Sequence, residues 1–263
     1  MFSILVDVTK CTGCEKCAAA CIEANKLNPV EADIDRSSTK DGLSGRRLST
    51  VLKVSENSFA KKACMHCLEP SCVAACLCGG ITKTPEGPVV YDPNQCIGCR
   101  YCMLACPFHI PRYEWNDTTP HIMKCTFCSD RLKNGQLPAC VEACPTGALI
   151  FGERTALLHE AHRRIKNNPG KYIDRVWGEE EFGGTSVIYI SDVDLDELGF
   201  PGRDTVPITA LTDPLIHKTP LIGLSVMGSM LGLNWIIKRR MEQIENNGNE
   251  NPPENDKIRA IDK

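Results

Sequence analysis

Sixteen of the seventeen cysteines in this 263-residue chain fall into four short groups. The first is Cys11-x2-Cys14-x2-Cys17-x3-Cys21. The second is Cys64-x2-Cys67-x4-Cys72-x3-Cys76. The third is Cys96-x2-Cys99-x2-Cys102-x3-Cys106, followed by Pro107. The fourth is Cys125-x2-Cys128-x11-Cys140-x3-Cys144, followed by Pro145. Disulfide frameworks typically belong to short secreted chains with an even count. Here the count is odd, and members of one set lie too close together to pair with each other. Zinc sites join two Cys-x-x-Cys pairs into one tetrahedron. Sets one and three instead add a third cysteine two residues on and a fourth after three more. That spacing suits the corners of a [4Fe–4S] cubane.

The Cys-x2-Cys-x2-Cys loop curls so that three thiolates reach three irons, and the fourth cysteine sits on a helix that points away. In two-cluster ferredoxins that fourth cysteine ligates the other cluster, so the sets must exchange fourth ligands in pairs. Residues 77–95, between Cys76 and Cys96, read as strand, Pro/Gly turn, strand and loop. A hairpin of this size links the halves of a small ferredoxin, which pairs sets two and three and leaves one and four for each other. The expected sites are Cys64, Cys67, Cys72 and Cys106; Cys96, Cys99, Cys102 and Cys76; Cys11, Cys14, Cys17 and Cys144; and Cys125, Cys128, Cys140 and Cys21. The expected cofactors are four [4Fe–4S] clusters.

Other chemistry-bearing residues read more plainly. Cys78 lies outside the pattern and is expected as a buried free thiol. His66 sits inside set two, where imidazole ligation would leave a cysteine over. His109, His121, His159 and His162 have no partner at metal spacing. Lys10, Lys16, Arg100, Lys124 and Arg131 lie beside ligands; they either offset cluster charge or are solvated surface charges. There is no Gly-x-Gly-x-x-Gly loop, P-loop or catalytic triad, and no radical-type Cys-x3-Cys-x2-Cys motif. With a net charge of −3 and no large basic patch, nothing argues for nucleic acid.

The sequence predicts an α+β fold: two pseudo-symmetric ferredoxin-like units of two [4Fe–4S] clusters each, with an insert and one C-terminal transmembrane helix. Residues 1–152 form the four-cluster domain, 62–112 its inner ferredoxin unit and 22–61 the insert. Residues 1–8 read as a strand and lack the features of a signal peptide. Within the insert, residues 33–50 are polar and read as a surface loop with a docking role, followed by a strand near residues 51–54. In the extension, 153–213, Leu157, Ala161 and Ile165 recur every four residues and predict a helix over 154–167. Residues 187–190 read as a strand. Residues 221–237 are 17 uncharged residues within an anchor spanning 214–240. Ser225-x3-Ser229 and Gly228-x3-Gly232 are small-residue pairs that let membrane helices pack closely. Lys238-Arg239-Arg240 closes the span, and residues 241–263 read as a disordered polar tail. The positive-inside rule puts the C-terminus in the cytoplasm and the cluster domain outside it. A cytoplasmic cluster domain on a tail anchor is the alternative.

The whole pattern resembles the iron–sulfur (beta) subunits of respiratory molybdenum or tungsten oxidoreductases. The likeness rests on the four nested sets, on Cys64-Met65-His66-Cys67, on residues 106–112 and 140–148, and on Gly183-Gly184-Thr185. Membrane-bound formate dehydrogenase is the nearest likeness, and membrane-bound nickel–iron hydrogenase comes next. The 11-residue gap between Cys128 and Cys140 resembles the formate dehydrogenase and dimethyl-sulfoxide-reductase types more than the hydrogenase type. Ile22 and Leu77 depart from the pattern, because proline often follows the fourth cysteine. The resemblance implies a non-catalytic subunit that passes single electrons between a molybdopterin, tungstopterin or nickel–iron catalytic subunit and a membrane cytochrome b or quinone-reactive subunit. It also implies export beside a partner that carries the signal, with the paired first and fourth sets facing the catalytic subunit. A subunit of a molybdopterin terminal reductase and a membrane-tethered polyferredoxin are the alternatives.

Overall fold

A computed structural model describes residues 1–36, 39–115, 121–195, 198, 200 and 206–248. The chain divides into two units, Met1–Leu211 and Thr212–Lys263, each described by itself.

The first unit opens with β1 (Phe2–Asp7), α1 (Lys16–Ala24), α2 (Pro29–Arg36) and the hairpin of β2 (Thr50–Lys53) and β3 (Phe59–Lys62). Next come α3 (Ser71–Ala74), the hairpin β4 (Ile81–Lys83) and β5 (Val89–Tyr91), and α4 (Tyr101–Ala105). The short pair β6 (Arg112–Tyr113) and β7 (Ile122–Met123) precedes α5 (Ser129–Lys133) and α6 (Ala139–Glu142). β8 (Leu149–Glu153), α7 (Arg154–Asn167) and β9 (Val187–Ile190) follow. The predicted helix over 154–167, the strand at 187–190 and the hairpin between sets two and three are all present.

β1 organises this unit. It is the middle strand of a three-stranded sheet, antiparallel to β8 and parallel to β9. Successive side chains of a strand face opposite ways. Leu5 therefore packs against Leu157, Ala161 and Ile165 on α7, together with Ile188 and Ile190. Ile4 and Val6 point the other way, into the core that contains the cysteines. Both faces are covered, so residues 3–7 are all buried.

The extension also shapes the site. Gly184 accepts a hydrogen bond from the Leu68 amide, and Thr185 bridges to Cys67 inside set two. Phe182 and Phe200 flank Phe108, each ring centroid 5.5 Å from that of Phe108.

The insert differs from the expected surface loop. Leu43, Ser44, Arg47, Leu48, Ser49 and Thr50 are buried, and residues 29–36 form α2. Its polarity is turned inward as ion pairs. Arg47, 4% exposed, contacts Glu15 at 2.7 Å and Asp33 at 2.8 Å. Asp41 contacts Arg112 at 2.6 Å and Lys62 at 3.3 Å. Burial works against the Asp41 charge, but Arg112 holds its carboxyl below the usual range.

In the second unit α8 (Ile208–Gly248) begins just inside the first and continues through its described residues. Within Lys218–Asn246 an 18-residue window has a mean hydropathy of 1.5 and none of it is buried, so this helix is long and apolar enough to cross a membrane. Ser225 and Ser229 donate to the carbonyls of Ile222 and Ser225 at 2.8 Å each, which satisfies both hydroxyls within the helix. Residues 241–248, expected in the polar tail, continue the helix. Residues 249–263 lie outside the described residues.

Candidate iron–sulfur site

Sets one and three are built on the same backbone. Each opens on a 3-10 turn, at Val8–Lys10 and Pro93–Gln95, whose first carbonyl accepts the amide of Cys11 or Cys96. Gly13 and Gly98 then take φ of 71° and 69°. A side chain is strained there, and at Gly13 a Cβ would also stand 2.8 Å from the Phe59 ring. Glu15 and Arg100 are left-handed as well and start α1 and α4, which carry Cys17 and Cys102. Four residues after Cys17, on the same buried face of α1, comes Cys21. Sets two and four share a second local plan. His66 and Phe127 are left-handed, and Pro70 and Pro138 lead into α3 and α6, which carry Cys72 and Cys140. Backbone amides point at the first sulfur of each loop, among them Gly98 N–H to Cys96 Sγ at 3.4 Å and Phe127 N–H to Cys125 Sγ at 3.3 Å.

The structure gathers the sixteen thiols into four groups. Cys11, Cys14, Cys17 and Cys144 line one cavity. Cys21, Cys125, Cys128 and Cys140 line a second, with Cys64 in its wall. Cys67 stands close enough to Cys64, Cys106 and Cys72 to feel the charge of each. Cys102 likewise feels Cys76, Cys99 and Cys96. Each group takes three cysteines from one set and one from its partner set.

The electrostatics fit a cluster better than a set of free thiols. Burial, reinforced by neighbouring thiolates, pushes Cys72 and Cys140 up to about 12 and Cys64 and Cys102 up to about 11. Thiols packed this way resist ionising together, and bound iron supplies the missing positive charge. All seventeen cysteines are free of disulfides. Among the described residues no three Cys, His, Asp or Glu side chains close around a single ion. A tetrahedral zinc would hold its sulfurs within about 4 Å of one another. Four thiols standing around a cavity suit a cubane, where each binds a different iron.

Lysines matter here in a way the sequence reading only partly found. Lys124 is buried, and its ammonium donates to the carbonyls of Val89 at 2.5 Å and Cys125 at 3.1 Å. Lys10 and Lys16 are exposed. Arg100 stacks over Tyr113 and Trp115 at 5.2 Å, and Arg131 pairs with Glu142. Two further lysines, outside the cysteine motifs in sequence, also stand among the thiols. Lys83 donates to the Cys67 carbonyl at 2.7 Å, and burial lowers it to about 8. Lys61 is buried and lines both cavities. It lies on β3 two residues after Phe59, on a strand that the sequence reading does not anticipate.

His66 is fully buried. Its Nδ1 accepts the Val89 amide at 2.9 Å, so Nε2 carries the proton and has no protein partner among the described residues. Burial and the nearby lysines keep the ring neutral. His109 and His159 are exposed, His121 meets Tyr91 Oη at 3.4 Å, and His162 pairs with Glu179 at 2.9 Å. Cys78 corrects an expectation: it is partly exposed rather than buried. Its Sγ lies 3.8 Å from that of Cys76, and the amides of Gly80 and Ile97 lower its pKa.

The fold and its sulfur-lined cavities define a ferredoxin-type iron–sulfur protein. The 4Fe-4S dicluster domain family matches residues 55–154. A protein of Nitratidesulfovibrio vulgaris is 44% identical over 255 residues, covering 92% of this chain and 68% of its own. The hydrogenase-2 operon protein HybA of Escherichia coli O157:H7 is 32% identical, covering 93% of this chain and 86% of its own. The nitrate-inducible formate dehydrogenase iron-sulfur subunit of Escherichia coli K12 is 37% identical over 71% of this chain and 66% of its own. The chain belongs to the family of iron–sulfur electron-transfer subunits of respiratory complexes that includes HybA and the formate dehydrogenase subunits.

Proposed function

We propose that the chain relays single electrons through four [4Fe–4S] clusters, with no active site of its own. The observation that carries this reading is the grouping of the thiols: each group combines cysteines from two sets. The clusters take Cys11, Cys14, Cys17 and Cys144; Cys21, Cys125, Cys128 and Cys140; Cys64, Cys67, Cys72 and Cys106; and Cys76, Cys96, Cys99 and Cys102. The two backbone plans, each used twice, support a pseudo-symmetric pair of two-cluster units. Neighbouring thiols give the clusters a linear order. Cys17 lies near Cys140, Cys64 near Cys125, and Cys72 near Cys102. Of the sixteen ligands only Cys14 and Cys99 are exposed, and they belong to the first and last clusters of that line. Electrons enter and leave there.

The catalytic partner in this reading is a formate-oxidising molybdopterin or tungstopterin subunit facing the Cys14 end. A membrane cytochrome b or quinone-reactive subunit takes the Cys99 end. One observation favours a hydrogenase instead: the likeness to HybA extends over 93% of the chain, against 71% for the formate dehydrogenase subunit. Residues 214–240 are the membrane anchor, supported by the apolar window within Lys218–Asn246 and by the internally bonded serines. Lys238-Arg239-Arg240 marks the cytoplasmic end, with the cluster domain on the other side.

The test is chemical analysis of the purified chain, joined to identification of whatever co-purifies from gently solubilised membranes. About 16 irons per chain are expected from four cubanes; a value near 8 removes the four-cluster reading. A pterin subunit identifies formate-type chemistry, and a nickel–iron subunit moves the substrate to hydrogen. Isolation without any stoichiometric partner overturns the subunit reading.

A further inference from the structure

Lys61 is a buried cation whose counter-charges are sulfur. It lies on β3, and its ammonium donates to Ser49 Oγ at 2.5 Å. No carboxylate among the described residues pairs with it, although Lys62 beside it reaches Asp41 at 3.3 Å. Burial opposes its charge, and the thiolates of Cys140, Cys17, Cys125 and Cys21 outweigh that opposition. Those four belong to two different groups. Cys17 lines the first cavity, Cys21, Cys125 and Cys140 line the second, and Lys61 stands in the wall of both.

The backbone fixes this position from two sides. Val51 on β2 pairs with Lys61 across the hairpin, and Tyr189 Oη on β9 donates to the Lys61 carbonyl at 2.9 Å. A lysine held only for packing would be an expensive choice, because burying an ammonium carries a desolvation penalty that an apolar residue of similar volume avoids. The charge is retained in the wall shared by the two thiol-lined cavities.

We propose that Lys61 is the shared counter-charge of two adjacent [4Fe–4S] clusters, a positioning residue that raises both of their potentials and reduces their mutual repulsion as an electron crosses between them. This rests on the ligand assignment proposed above. A cation stabilises the reduced, more negative form of a nearby cluster. Set in the wall between two clusters, it acts on both; beside one alone, it would unbalance the pair.

The experiment is a potentiometric titration followed by electron paramagnetic resonance, on the full chain in its complex, for wild type, Lys61→Met and Lys61→Arg, with iron counted in each. In Lys61→Met the reduced-to-oxidised ratio at fixed solution potential falls at least tenfold for two of the four clusters, equivalent to 59 mV for a one-electron couple. The other two clusters move less, and Lys61→Arg stays near wild type. A fully loaded Lys61→Met protein with unmoved potentials overturns the proposal, as does an equal shift of all four. If Lys61→Met is iron-poor, Lys61→Arg decides: restored iron at wild-type potentials supports the shared charge, and a deficit that arginine does not repair refutes it. Failure of the ligand assignment is separately visible, as a wild-type protein with fewer than four clusters.

Discussion

Replacing Leu5 by alanine should loosen two clusters that the side chain never touches. Leu5 is fully buried between β1 and α7, against Leu157, Ala161 and Ile165. Its neighbours in sequence, Ile4 and Val6, wall the cavity that holds Cys21, and Val6 also walls the one that holds Cys11. Buried leucine-to-alanine changes cost about 2.7–5 kcal/mol, depending on how far the site collapses. α7 is a single layer whose outer face, including His159, His162 and Arg163, is exposed, so it can settle inward. That argues for the lower part of the range, about 3 kcal/mol. If iron leaves through opening of the β8-β1-β9 sheet, this increment accelerates release by about 150-fold, since each 1.4 kcal/mol is a factor of ten. The assay is anaerobic iron transfer to a chelator from wild-type and Leu5→Ala protein of equal initial iron content. Release should be biphasic in the variant, with the first two clusters fast. The Cys72–Cys102 region, whose core of Ile81, Val89 and Ile122 is separate, should lag. Equal rates for variant and wild type, or acceleration confined to the slow phase, would refute the claim that α7 holds the cavity wall through β1.

Ligand exchange can be tested by double substitution. Cys21→Ser with Cys125→Ser should lose no more iron than either change alone, about four atoms, because both remove one cluster. Cys21→Ser with Cys11→Ser should lose about eight; the reverse pattern would mean that each set keeps its own cluster. Asp41→Asn should free the insert from Arg112 and Lys62, read as faster proteolysis within residues 39–53 at neutral pH. The Asp41 carboxyl lies below its ordinary value when folded, so in wild type its contribution is complete at neutral pH and is lost only as pH falls through that depressed value. Unchanged cleavage of Asp41→Asn at pH 7 would show that the ion pairs do not order this segment. Ending the chain after Pro207 should release the cluster unit from the membrane pellet, while the full chain resists alkaline extraction. A full-length chain recovered in the soluble fraction without detergent would remove the anchor.

The curl of the cysteine loops was legible because loop geometry is local. Gly13, Glu15 and the start of α1 fall within a few residues, and the loop cannot curl otherwise. The α7 stripe was equally legible, since Leu157, Ala161 and Ile165 all face one side of the sheet. The insert was misread for the opposite reason. Arg47 and Asp41 look like solvent-facing residues in sequence, and their partners Glu15, Arg112 and Lys62 lie outside the segment altogether. Lys61 escaped on the same ground: its partners are thiols from sets one and four, brought to it by the fold. Cys78 went astray because a free cysteine is usually buried, whereas here it follows a chain turn beside Cys76 at the surface.

The ligand exchange proposed here also shapes how the chain is constrained. The inner clusters close short loops: Cys76 to Cys96 encloses roughly twenty residues, and closure entropy grows only with the logarithm of loop length. The outer clusters join Cys11 to Cys144 and Cys21 to Cys125, loops of roughly a hundred residues or more, so each restricts the unfolded chain by about 1.5 kcal/mol more than the Cys76–Cys96 closure does. Those long closures coincide with the β1–β8 pairing, which brings residues 2–6 against 149–153. Sheet and outer clusters therefore reinforce one another: the sheet holds the two ends of the cysteine region together, and the clusters bind across that junction. Lys61 sits on the hairpin behind it. The inner unit, with its own hairpin and its own small core, carries less of this long-range burden. The end of the wire that holds Cys14 depends on the whole fold, while the end that holds Cys99 is built almost entirely from residues 64–123.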